Sequence, residues 1–290
     1  MNNIEEVYCL IDDLVKYFDK NIFKKPKVGR KSVIPRQLYL TLAIVRQQMG
    51  IKTNKQLYEF VKTYMKRDFP IMPSYVQFNE GMKSNFGFLL LLTTIIKEVN
   101  KHKKADYYIV DSSIMPVCAN AHRYNVKIDL GLASPGKNLN GWHYGFKLHL
   151  IINQNMEIVA LKFTNASTND LKVLDDKFLQ GLKGWLVGDK GYLGKVKAKE
   201  LFKMGIILIT KQRKNMPKLP ATKFGVKLLR ARAKIETTFG QLKHIYSLIN
   251  RYARSVEGYF SQALAAIVAY SLERSPKKLV EGVYQELLIS

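Results

Sequence analysis

The chain has 290 residues, of which 47% are hydrophobic. This fraction is enough to form a substantial core and argues against global disorder. It carries 47 Lys and Arg against 23 acidic residues, a formal net charge of +24. This excess indicates a polyanionic partner, since neutralising phosphates releases counterions. The longest apolar run, residues 86–96, is too short to span a bilayer, which speaks against a membrane partner.

The first hundred residues predict a mostly helical domain. Apolar residues at helical spacing from Ile4 to Phe18 indicate the first helix. A basic linker with prolines follows, and further helices are predicted over 36–49, from Thr53 or Asn54 to about 66, and over 75–83. Two helices joined by a turn at Gly50 have the form of a helix-turn-helix DNA-binding module. Short helices joined by glycine also occur in any helical bundle, so both interpretations stay open.

From residue 105 the pattern changes to strands alternating with helices. Strands are predicted over 107–110, 144–152, 157–163, 185–187 and 206–210, and helices over 170–179, 195–204 and 224–251. This order predicts a mixed α/β fold with a mixed five-stranded sheet flanked by helices. We therefore predict a helical DNA-binding domain over 1–100, a catalytic domain over 101–275 and a helical tail over 276–290.

Two acidic residues come directly after predicted buried strands. Asp111 follows the first strand and Asp189 follows the fourth. If these strands are neighbours, both carboxylates emerge at one edge of the sheet, where ligand sites gather. Taken singly, Asp111 could cap a turn and Asp189 could be a plain turn residue.

A third acid lies on the long predicted helix. At helical spacing Arg232, Glu236 and Lys243 form one narrow stripe, an anion between two cations. Ordinary surface ion pairs would give the same pattern. Together with Asp111 and Asp189, however, Glu236 would complete a carboxylate cluster of the kind that binds two divalent cations, for which Mg²⁺ is suited.

The segments YYIVDSS, GWLVGDKGY and RAKIETTFGQLK resemble the three sequence blocks of the Asp-Asp-Glu (DDE) transposases of bacterial insertion sequences. Arg232, Glu236 and Lys243 reproduce the Arg-x3-Glu-x6-Lys spacing of that family, whereas Leu229 stands where the motif has tyrosine. The resemblance implies a catalytic domain with a ribonuclease H-like fold.

The resemblance also implies roles for individual residues. Asp111, Asp189 and Glu236 would be the catalytic, metal-binding triad, holding two Mg²⁺ ions that Mn²⁺ could replace. Arg232 and Lys243 would contact phosphates at the transposon end.

Further DNA contacts are expected from a basic run between residues 211 and 234, which contains no acid. Two prolines in it indicate an extended arm that follows the DNA backbone. Besides Arg232 and Lys234, this run contains Lys211, Arg213, Lys214, Lys218, Lys223, Lys227 and Arg230. On the second strand His143, Lys147 and His149 would share a face. His143 and Lys147 are candidate DNA contacts, although a structural role in the hairpin is equally consistent with the pattern.

The function predicted from the sequence is that of an insertion-sequence transposase. Such an enzyme would bind terminal inverted repeats, cut the DNA there and join the 3′-hydroxyl to double-stranded target DNA. We expect a homodimer or higher assembly on DNA, in the cytoplasm and associated with the nucleoid, since no signal pattern is evident at the N-terminus. The alternatives are a catalytically inactive or repurposed DNA-binding protein, for which Leu229 leaves room, and a related ribonuclease H-like nuclease.

Overall fold

A computed structural model of the chain describes residues 4–21, 32–125, 131–138, 141–211, 222–249, 253–274, 281–283 and 285. The chain forms two compact units, which we call the helical unit (Met1–Ile95 with Leu242–Ser290) and the sheet unit (Ile96–Gln241). The sheet unit is shorter than the predicted catalytic domain, because residues from 242 onwards belong to the helical unit. Most of the predicted tail, 276–290, lies outside the described residues.

The helical unit begins with the helices that the sequence predicts. They are α1 (Ile4–Asn21), α2 (Arg36–Gln48), α3 (Asn54–Tyr64) and α4 (Tyr75–Lys83), and α5 (Phe86–His102) leads into the sheet unit. Thr53 and Ser74 begin α3 and α4 with capping boxes, in which each side chain accepts from the backbone N–H three residues on. Most of the predicted basic linker falls outside the described ranges.

The sheet unit contains six strands. They are β1 (Tyr107–Ala119), β2 (Ser134–Asn138), β3 (Gly141–Asn153), β4 (Ile158–Asn165), β5 (Gly184–Gly188) and β6 (Ile206–Thr210). The central order is β3-β1-β5-β6, antiparallel between β3 and β1 and parallel thereafter. Both β2 and β4 pair with the remaining edge of β3. The mixed α/β fold and the predicted β3–β4 hairpin are confirmed.

The predicted count of five strands was wrong, because β2 lies between the first two predicted strands, in a stretch whose sequence shows no strand pattern. This short edge strand contains Pro135 and Gly136 and shows no apolar alternation. Gly136 is nevertheless required there, since a Cβ at this position would come within 2.7 Å of the Ala166 Cβ. The strand therefore depends on its neighbours, which the local pattern does not show.

Strand β1 is also longer than predicted. Instead of ending before Asp111, it stays paired with β3 as far as Ala119, opposite His143. Its parallel pairing with β5 does stop early, at Ile109 opposite Val187. Asp111 therefore lies within β1, at the point where β1 and β5 separate.

Two predicted helices are interrupted. The region 170–179 consists of a 3₁₀ turn (Asp170–Val173) and α6 (Asp176–Leu179), because Asp175 accepts from the Phe178 N–H and begins a new helix. After α7 (Lys195–Lys203), the long helix predicted over 224–251 is divided into α8 (Lys223–Ala231) and α9 (Ala233–His244). Arg232 stands at the junction between them.

The last long helix is α10 (Val256–Arg274), which belongs to the helical unit and contacts α2 and α4. It is buried along almost its whole length. In the sheet unit, one side of the sheet packs on α6 and α7 through a core that includes Val110, Ile151 and Leu201. Among the helices of the described ranges, none is long and apolar enough to cross a membrane.

Candidate active site

The parallel register of β1 and β5 places two carboxylates beside each other. Asp111 and Asp189 each follow the last residue pair, Ile109 and Val187, by two positions. Asp189 comes directly after β5, where its Oδ1 accepts from the Gly191 N–H at 2.6 Å and caps a 3₁₀ turn. The sequence allowed these two strands to be neighbours without requiring it, and the sheet order shows that they are.

Asp111 lies in an environment that disfavours its negative charge. Its side chain is only 19% exposed. Burial, with a smaller contribution from the nearby carboxylates of Asp189 and Asp170, raises the pKa of this carboxyl group to about 6. The Ser112 N–H, which donates to Oδ1 at 2.8 Å, and the Arg232 guanidinium act in the opposite direction. Burial, more than the neighbouring charges, therefore disfavours the ionised form of Asp111.

Arg232 connects Asp111 to Glu236. Its guanidinium lies 3.7 Å from Asp111 Oδ2 and forms an ion pair with Glu236, in the first turn of α9. The i,i+4 contact between Arg232 and Glu236 is the one that the helical spacing predicted. Glu236, the third acid of the predicted triad, is about half exposed, and the guanidinium of Arg232 lies between it and Asp111.

A fourth carboxylate, Asp170, lies beside the first two. It accepts from Ser112 Oγ at 2.8 Å and from Lys147 Nζ at 3.1 Å. A Cβ added at Gly191 would be 2.9 Å from Asp189 Oδ1 and 3.3 Å from Asp170 Oδ2, so the two carboxylates flank the same glycine. Sequence reasoning assigned no role to this acid, since it looked like an ordinary residue in the first turn of a helix.

The Gly-Asp-Lys-Gly-Tyr segment at the end of β5 places a glycine and a buried tyrosine next to these carboxylates. Tyr192 is buried, and burial together with Asp170, Asp111 and Asp189 raises the pKa of its phenol, which stays protonated. A Cβ at Gly188 would be 3.1 Å from the Tyr192 side chain. Glycine at 188 therefore lets the tyrosine pack below the carboxylates.

The three candidates on β3 are engaged within the protein. Lys147 is 14% exposed and donates to the Thr168 carbonyl at 2.7 Å as well as to Asp170, which does not favour the predicted DNA contact. His149 is fully buried, its Nε2 lies 2.9 Å from Thr164 Oγ1, and burial lowers its pKa to about 4, so it is neutral and structural. His143 is half-buried and stands opposite Ala119.

The described part of the basic run is mostly exposed. Lys223, Lys227 and Arg230 lie on one exposed face of α8, whereas Leu228 is buried. Lys211 is also exposed. Arg213, Lys214 and Lys218 lie outside the described residues, and Lys243 is in the last turn of α9, within the helical unit.

Lys234, in contrast, binds inside the sheet unit. Its ammonium donates to the Tyr107 hydroxyl at 3.1 Å and to the Gln154 carbonyl at 2.8 Å, and it lies 5.6 Å from the centre of the Tyr107 ring. Since Tyr107 begins β1, these contacts fix the start of α9 against the sheet.

The donor chemistry of the site suits hard divalent cations, because its ligands would be carboxylate oxygens. In the described part of the chain, however, no three Asp, Glu, His or Cys side chains are close enough to hold an ion together. Arg232 occupies the space between Asp111 and Glu236 instead. The carboxylates of the site are therefore of the type that binds a metal ion. In the described structure, however, the guanidinium of Arg232 supplies the positive charge beside them.

Comparisons with known proteins agree with this geometry. The family model described as "Transposase DDE domain" matches residues 101–256, more than half of the chain. A solved structure, the cryo-EM structure of the piggyBac transposase synaptic complex with hairpin DNA, is similar in fold. Its TM-score is 0.52 at 10% sequence identity, and the match covers 99% of this chain and 80% of that one. No curated protein matches the sequence.

Proposed function

The chain belongs to the family of transposases with a DDE domain, and on that basis we propose that it is the transposase of a bacterial insertion sequence. As a member of this family it is a DNA transposase, with the ribonuclease H-like fold in its sheet unit. The proposed reaction is cleavage of the phosphodiester at terminal inverted repeats, followed by joining of the freed 3′-hydroxyl to target DNA.

The observation on which this reaction depends is the carboxylate cluster. Asp111 and Asp189 lie side by side, and Glu236 is linked to Asp111 through Arg232. The family generally uses divalent metal ions, and we assign these three residues as their ligands, with two Mg²⁺ ions replaceable by Mn²⁺. When bound, such ions activate the attacking water or hydroxyl and stabilise the leaving 3′ oxygen.

The protein's own groups position the reacting phosphate. Arg232 is held beside Asp111 and Glu236, and its guanidinium carries N–H donors of the kind that bind a phosphate oxygen. Tyr192, kept neutral by its surroundings, is buried beside the carboxylates and contributes no charge to the site. The rest of the rate enhancement would come from orientation and charge neutralisation.

We further propose that the exposed cations of α8, Lys223, Lys227 and Arg230, bind the DNA backbone, together with Lys211 and Lys243. The helical unit, with its α2–turn–α3 segment, remains the proposed reader of terminal repeats. Replacing the three α8 residues with glutamine should weaken DNA binding and make it less dependent on salt. A salt slope equal to that of the wild type would refute these contacts.

The test of the proposed reaction is a cleavage and strand-transfer assay on DNA that carries the element's ends. Asp111→Ala, Asp189→Ala and Glu236→Ala should each abolish both steps while DNA binding is retained. Asp106→Ala, which removes an exposed acid just before β1, serves as the control and should stay active. Strand transfer by any triad variant would exclude that residue from its assigned role.

Two other functions are separated by the same assay. A repurposed DNA-binding protein would bind the ends without Mg²⁺-dependent nicking, and Leu229, which replaces the motif's tyrosine, is the feature that favours it. A nuclease would cut without producing joined strands. The assembly on DNA as a homodimer and the nucleoid-associated, cytoplasmic location remain parts of the proposal.

A further inference from the structure

The helical unit contains a buried arginine that has no acidic partner among the residues that the structure describes. Arg46, on α2, is 4% exposed. Burial lowers the pKa of its guanidinium to about 10, which still leaves it charged at neutral pH. Its described partners are amides only: NH1 donates to Asn54 Oδ1, and NH2 and Nε donate to Gln47 Oε1 at 2.7 and 3.3 Å once that amide is oriented to accept.

Amide oxygens satisfy hydrogen bonds but do not cancel the charge. A buried charge that lacks an opposite charge is costly, because it has lost its hydration without gaining a counter-ion. Five N–H groups of the guanidinium are available as donors, and the contacts above use three of them. Arg46 therefore retains both charge and donors for a further, anionic partner.

A small cavity lies against this guanidinium. Its volume is about 30 Å³, and its polar lining comes from Arg46, Asn54, Lys83, Ser261 and Gln262. Ser261 is 7% exposed, and its hydroxyl has no hydrogen-bond partner in the part of the chain that the structure describes. Lys83 adds a second cation and is itself paired with Glu80 at 2.7 Å. Two cations and a hydroxyl without a partner thus face one space.

The size of the cavity narrows the class of ligand. A water molecule needs roughly 10–15 Å³ of cavity volume, so this cavity holds about two oxygen-sized atoms. The lining supplies donors for both, from the guanidinium, the ammonium and the Ser261 hydroxyl. One acceptor, Gln262 Oε1, also lacks a partner and would favour a water or a protonated oxygen beside it.

We propose that this cavity binds one phosphate group through two of its oxygens, with the remaining substituents outside. The two unesterified oxygens of a DNA phosphodiester have this form, and so do two oxygens of free inorganic phosphate. Binding of a DNA phosphate rests on the proposed function, whereas binding of free phosphate does not. For DNA, the contact would fix the position of the duplex on the helical unit without selecting sequence.

The experiment is calorimetric titration of the full-length protein with inorganic phosphate at constant ionic strength. Arg46→Ala could prevent folding, so the variants are Ser261→Ala and Lys83→Gln, each of which leaves the guanidinium in place. Each should weaken the phosphate site about tenfold, since each removes a donor to an anion. The control is Lys16→Gln, which removes another lysine of an intrahelical ion pair in the helical unit and should leave the site unchanged.

If the wild type shows no saturable phosphate binding, or if Ser261→Ala and Lys83→Gln bind phosphate like the wild type, the proposal is overturned.

A second arm identifies the source of the phosphate by measuring duplex DNA binding against salt concentration. With DNA as the ligand, Lys83→Gln should reduce the salt slope by about one and free phosphate should compete. An unchanged slope together with lost phosphate binding identifies free phosphate. Cleavage is not measured, so an inactive transposase gives the same result in both arms.

Discussion

Replacing Asp111 with asparagine is expected to stabilise the sheet unit while abolishing cleavage. The pKa of this carboxyl group is held at about 6, against its ordinary value of 3.8, first of all by burial. A carboxyl group whose pKa is raised in the folded state destabilises that state when it ionises. Its destabilising effect therefore appears as the pH rises from 3.8 through about 6. Asparagine keeps the shape of the side chain and avoids this cost.

The size of the effect follows from the two pKa values. At about 1.4 kcal/mol per pH unit, ionised Asp111 lowers the free energy of unfolding by about 3 kcal/mol near pH 7.5 and by about 1.5 kcal/mol near pH 5. The Asp111→Asn variant should exceed the wild type by these amounts when divalent cations are chelated. Under the proposed metal assignment, saturating Mg²⁺ should narrow the gap, because it would bind the folded wild type through the carboxylate.

Tryptophan fluorescence during urea unfolding is the appropriate assay. The only two tryptophans of the chain, Trp142 and Trp185, both lie in the sheet unit, so the signal reports the unit that contains Asp111. Asp106→Asn removes an exposed carboxylate before β1 and should change little. If Asp111→Asn unfolds at the same or a lower urea concentration near pH 7.5, the conclusion that the buried charge is uncompensated is refuted.

Three further results are expected. Asp170→Asn should raise the Mg²⁺ concentration needed for cleavage, because Asp170 accepts a hydrogen bond from Ser112, the residue next to Asp111. The control is Asp175→Asn, which removes an acid that is paired with Lys162 and should leave this concentration unchanged. The free energy of unfolding of the wild type should fall by about 2.5 kcal/mol as the pH falls from about 6.5 to about 4.5, since burial lowers the pKa of His149 to about 4. His149→Gln should remove this pH dependence. Arg232→Gln, compared with Arg230→Gln, should lower the free energy of unfolding by about 0.5–1 kcal/mol without metal and by less with Mg²⁺. Equal losses in both conditions would contradict the role of Arg232 as a counter-ion.

Local patterns were sufficient for much of this fold. The buried strands before Asp111 and Asp189 were recognisable because their apolar runs end abruptly at an acid. The pairing of Arg232 with Glu236 followed from helical spacing alone. In each case the information lies within a few residues, where backbone periodicity determines which side chains share a face.

What the sequence did not reveal depends on contacts between distant segments. The extension of β1 beyond Asp111 requires β3 as a partner, and its polar Asp-Ser-Ser start resembles a turn when that partner is unknown. Asp170 meets Ser112 across 58 positions of the chain and Lys147 across 23. The ion pair of Lys147 with Asp170 likewise has no local signature in the sequence.

Local charge imbalance is more informative about ligands here than the net charge of +24. In the sheet unit, burial and the neighbouring carboxylates disfavour the charge of Asp111, and Arg232 offsets this effect only in part. In the helical unit, the buried charge of Arg46 lines a small cavity together with the ammonium of Lys83, which is paired with Glu80. Burial makes both imbalances expensive, and each is relieved by a ligand of the opposite sign. Cations at the carboxylates and a phosphate at the arginine are together the ligands that an enzyme acting on DNA phosphodiesters requires.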